Sequence, residues 1–78
     1  MQASEEFDYS FERNGITSHI SSVPGGALVV TSDGGHTTTV KIPSDAYQNQ
    51  MTMNKAWALA WKYIADFQRR AKSGWIEQ

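Results

Sequence analysis

Asn14-Gly15, set between two runs that alternate apolar and polar residues, constrains this chain more than any other feature. Phe7, Tyr9 and Phe11 alternate with Asp8, Ser10 and Glu12, the period of a half-buried strand. An Asn-Gly pair supplies the positive φ that a type I′ turn needs at both central positions. A two-residue loop then sets Glu12 opposite Thr17, Ser10 opposite His19 and Tyr9 opposite Ile20. Phe7, Tyr9, Phe11, Ile16 and Ile20 fall on one face, and Asp8, Ser10, Glu12, Thr17, His19 and Ser21 on the other. Turn chemistry and hydrophobic pattern agree, as they must in a real hairpin.

Pro24-Gly25-Gly26 breaks the chain, and Ala27 to Thr31 forms a third strand. Ser32-Asp33-Gly34-Gly35 turns it into a threonine-rich fourth strand, His36 to Ile42. A two-residue loop would pair Ala27 with Val40, and a three-residue loop Leu28 with Val40. The second is preferred because it groups Leu28, Val30, Thr38, Val40 and Ile42. Pro43 ends the strand, and Ser44-Asp45 can cap a short turn of helix through Gln48. From Thr52 a long helix follows, with Met53, Trp57, Ala60, Ile64, Phe67 and Ala71 within roughly 80° of arc. Gly74 stops it.

These elements predict a single α+β domain over residues 1–78: a four-stranded antiparallel meander, order 1-2-3-4, with the C-terminal helix across one face. Residues 1–6 are expected to fray, and 75–78 form a tail in which Trp75 and Ile76 either dock back or meet a partner. The uncovered face is expected to be nearly all polar: Asp8, Ser10, Glu12, Thr17, His19, Ser21, Thr37, Thr39 and Lys41.

The absence of cysteine removes disulfides, thiol nucleophiles and cysteine-based zinc sites. No apolar run reaches membrane-spanning length and no secretion signal is legible, so a cytoplasmic protein without a membrane partner is expected. The net charge of −1 conceals a division. Residues 1–50 carry Glu5, Glu6, Asp8, Glu12, Asp33 and Asp45 against Arg13 and Lys41, and residues 51–78 carry five bases against Asp66 and Glu77.

Catalysis finds little footing. His19, flanked by Asp8 and Glu12, reads most plainly as a surface histidine in acidic surroundings, and His36 as a turn-edge residue without a partner. Fourteen serines and threonines give no triad, because neither histidine is set up as an oriented base. The Gly-Gly pairs lead into strands and not into a helix N-terminus, so they are turns and not phosphate cradles. No catalytic residue, metal site or cofactor is expected. Lys55, Lys62 and Arg69, spaced by seven and extended by Arg70 and Lys72, offer an alternative reading as a small nucleic-acid-binding module. Asp66 inside that stripe and a sequence pI near 6.0 weigh against it. Trp61, Tyr47 and Trp75 are the aromatics least required by the core, and so candidates for contact.

In size and layout the chain resembles the small phage-encoded inhibitors of host defence, the anti-CRISPR proteins. The resemblance lies in the acidic opening with Glu5, Glu6, Asp8 and Glu12, the Asn14-Gly15 hairpin, a short sheet and one amphipathic helix from Thr52. It implies a non-catalytic inhibitor that occludes a nucleic-acid-binding or nuclease-recruiting surface of a CRISPR effector complex. Glu5, Glu6, Asp8, Glu12, His19 and Trp75 would contact that protein partner. Mimicry of nucleic acid would have to be local, given the near-zero net charge. The chain would act as a monomer, or as a homodimer formed through a free strand edge or the uncovered face.

Overall fold

A computed structural model of the chain describes residues 6–75. Four strands, β1 (Asp8–Arg13), β2 (Ile16–Val23), β3 (Gly26–Ser32) and β4 (Thr37–Pro43), precede a 3-10 turn (Ser44–Tyr47) and one helix, α1 (Met53–Lys72). The strands form one antiparallel sheet in the order β1-β2-β3-β4, and α1 packs on one face. This is the expected α+β architecture. The fraying expected of residues 1–6 and the fate of Ile76 fall almost wholly outside the described residues.

The first hairpin has the expected register: Glu12 pairs with Thr17, Ser10 with His19 and Tyr9 with Ile20. Asn14 and Gly15 have φ of 56° and 81°, the left-handed pair the turn demands.

The second hairpin does not have either expected register. Val29, not Leu28 or Ala27, pairs with Val40, and Ser32 pairs with Thr37 across a four-residue loop. The Asp33 carboxylate closes that loop, accepting the amides of Gly35 at 2.8 Å and His36 at 2.9 Å. These two bonds, that from His36 foremost, hold the Asp33 carboxyl below its ordinary value. The longer loop sends Ala27, Val29 and Thr31 toward the helix and turns Leu28 and Val30 to the opposite face. Gly26 is fixed by close approach, since a Cβ there would lie 2.0 Å from the Ile42 carbonyl oxygen.

The core is built from Ile20, Ala27, Val29 and Ile42 of the sheet, Tyr47 and Met51 of the connection, and Ala56 and Ala60 of α1. A second cluster joins Ile16 to Ile64 and Phe67. Thr52 caps α1, its Oγ1 accepting from the Lys55 amide at 3.2 Å. The buried stripe is Ala56, Ala60, Ile64 and Phe67, rotated from the one expected. Trp57 lies outside its arc and is 49% exposed, whereas Met53, 62% exposed, and Ala71 fall within the arc but stand at the two ends of the helix. Alanine toward the sheet lets α1 approach closely, and the bulky side chains are displaced to the flank. Ser18 and Thr31, both buried, satisfy each other through hydroxyls 3.3 Å apart.

Gly74 ends the helix as expected. The Trp75 amide donates to the Arg70 carbonyl and the Gly74 amide to that of Ala71, a Schellman closure. It folds Trp75 back against Phe67, ring centroids 4.7 Å apart, and flat onto His36 at 4.2 Å. Trp75 therefore docks on its own domain, and His36 has the partner that the sequence did not suggest.

Candidate protein-binding surface

β1 is an edge strand, and its strict alternation gives its two sides opposite chemistry. On the uncovered face stand Asp8, Ser10 and Glu12, exposed, with Glu6 just before them. The His19 Nε2 lies 2.6 Å from Asp8 Oδ1, yet Asp8 keeps 69% of its side chain in solvent. Glu5 lies outside the described residues.

Behind this acidic row the face is less polar than expected. Three cross-sheet rows run Asp8–Ser21–Leu28–Lys41, Ser10–His19–Val30–Thr39 and Glu12–Thr17–Ser32–Thr37. Leu28 and Val30, half-buried, thus sit at the centre of the uncovered face, ringed by polar groups.

The other side of β1 is aromatic. Phe7, Tyr9 and Phe11 stack in a ladder with ring centroids 6.2 and 6.4 Å apart, half-buried at the sheet edge. Further along this side the Arg13 guanidinium sits 5.0 Å from the Trp61 ring, and Trp61 meets Trp57 at 5.3 Å. Trp57 and Met53 are the exposed large hydrophobics of the described chain, and sequence reasoning placed both in the core. The available signal was Ala56: a stripe of Ala56, Phe67, Ala60 and Ile64 spans the same roughly 80° of arc as the one expected and leaves Trp57 outside, whereas Met53 falls within both and its exposure was not legible from the periodicity. Tyr47, a contact candidate from sequence, is instead buried in the core.

The five bases on α1 are largely engaged within the chain. The Lys55 ammonium donates to the carbonyls of Tyr47 at 2.9 Å and Gln50 at 3.1 Å. Asp66 holds both Arg69 and, at 3.2 Å, Arg70. Lys62 lies over the Tyr63 ring, and Lys72 is exposed in the last turn. Among the described residues no group of three His, Asp or Glu side chains converges on a metal-sized site. No helix of the described chain is long and apolar enough to cross a membrane.

No protein-family model, curated protein or solved structure matches this chain.

Proposed function

We propose that this chain is a non-catalytic protein-binding inhibitor that acts by occlusion, in the manner of an anti-CRISPR protein in the cytoplasm of an infected cell. The observation that carries the reading is the edge of β1, where Asp8 and Glu12 stand on one side and an aromatic ladder on the other leads, through Arg13 and Trp61, to the exposed Trp57. Interfaces of this kind combine aromatic anchors with a charged rim, and the charge sign selects the partner. Here it selects lysines and arginines, the residues with which a CRISPR effector complex grips nucleic acid. The partner-binding set is Glu6, Asp8, Glu12 and Trp57, with His19 orienting Asp8; Trp75 serves the fold.

The nucleic-acid alternative draws less support, because Lys55, Arg69 and Arg70 are already satisfied by groups of the same chain. The test is phage plating on cells whose CRISPR system targets that phage. Expression of the chain restores plaques, and Asp8→Lys with Glu12→Lys abolishes the effect while the variant stays folded. Plaque counts unchanged by the wild-type chain overturn the inhibitor reading.

A further inference from the structure

We propose that β1 takes its partner as an added strand: an extended segment that alternates lysine or arginine with apolar residues, laid along the free edge. This rests on the acidic-surface reading above and specifies how that surface is used.

The main-chain pattern sets the geometry. The Ser22 amide donates to the Phe7 carbonyl at 3.1 Å. Antiparallel pairs alternate, so Phe7, Tyr9, Phe11 and Arg13 direct their main-chain groups at β2. Asp8, Ser10 and Glu12 direct theirs outward, toward the free edge. A strand added there bonds to those three residues. Its side chains directly opposite lie roughly 4.5–5.5 Å away between Cβ atoms, on the acidic face. Cationic residues at those positions meet Asp8 and Glu12. The residues between them project to the other side, against Tyr9, Phe11 and the exposed Trp57 flank. Main-chain bonds then supply affinity and the alternating side chains specificity.

The opposite edge differs. The Ser44 amide donates to the Gly25 carbonyl at 3.0 Å, and the same alternation turns Thr37, Thr39, Lys41 and Pro43 of β4 outward. Pro43 has no N–H to offer and Lys41 brings a charge, the usual means of blunting an edge. β1 carries neither proline nor lysine. Its acids oppose only self-pairing: the antiparallel register that uses all three outward residues sets Asp8 against Glu12 of a second copy. What repels a copy attracts a basic strand.

The test uses the full chain and two peptides, each acetylated, amidated and alternating lysine with valine over seven residues. The second carries N-methyl groups on the main-chain nitrogens of its lysines, which keeps charge and side chains but removes the donors. The expected result is slowed hydrogen exchange at the amides of Asp8, Ser10 and Glu12 with the first peptide. The N-methylated peptide binds at least about tenfold more weakly. Equal binding by both overturns strand addition and leaves the acidic-surface reading standing. Binding by neither at low ionic strength overturns both, and assigns the acids to keeping copies apart.

Discussion

Asp8 and His19 meet across the first hairpin, carboxylate oxygen to Nε2 at 2.6 Å, on the face that α1 leaves uncovered. Asp8 keeps 69% and His19 46% of its side chain in solvent, so the contact is worth less than about 1 kcal/mol to the fold. Asp8→Lys with Glu12→Lys is therefore expected to shift thermal stability by only a few degrees. A melt that collapses would mean that the acidic row is structural and not a binding surface.

Trp57 and Phe67 separate the flank of α1 from its buried face. Phe67 is 1% exposed, and Phe67→Ala should cost about 3–5 kcal/mol, a large share of what a domain this small possesses. Trp57→Ala should cost under about 1 kcal/mol and yet lower partner affinity tenfold or more. Chemical denaturation of both variants measures the first contrast directly. A cost at Trp57 equal to that at Phe67 would restore the stripe read from the sequence.

Gly26 lies opposite Pro43, with the Ile42 carbonyl where a side chain would begin. Gly26→Ala should destabilise by about 3 kcal/mol, because the obstructing atom is backbone and cannot swing aside. For a chain this size that lowers Tm by roughly 12–24 °C. Calorimetry checks it.

Asp33 gives the fold an acid-sensitive element. Its carboxyl is lowered by the bonds from His36 and Gly35, so the folded state binds that proton less readily than the unfolded chain. The resulting stabilisation is present above the ordinary carboxylate range, near pH 4, and is lost as pH falls through the lowered value. Stability measured from pH 5 to pH 2 should fall more steeply in the wild type than in Asp33→Asn. Parallel curves would remove Asp33 from the account.

The first hairpin was legible to the residue because Asn14-Gly15 and the alternation around it specify the same register twice. In the second, the only independent constraint was hydrophobic grouping. β4 is threonine-rich, so its two faces differ little in polarity, and the loop length depends on Asp33 folding back onto two amides. Mispairing there displaced Leu28 and Val30 from the uncovered face. On α1 the periodicity was read correctly but its phase was not. Hydrophobicity favours Trp57 for the core, whereas close approach to a sheet favours Ala56, and packing prevailed; Met53 shares the buried arc but stands at the first position of the helix, exposed. That phase error hid Trp57 as a surface residue. The acidic half of the surface was legible because it alternates on an edge strand; the aromatic half depends on how α1 is rotated.

The most direct measurement is recovery of a partner from nuclease-treated lysate of cells carrying an active CRISPR system. Wild type, Asp8→Lys with Glu12→Lys, and Trp57→Ala would be compared by quantitative mass spectrometry. One effector complex is expected to be enriched by the wild type, lost with the charge reversals and reduced with Trp57→Ala, all three proteins having the same circular dichroism. Equal enrichment by all three, or recovery only of nucleic acid from untreated lysate, would contradict it.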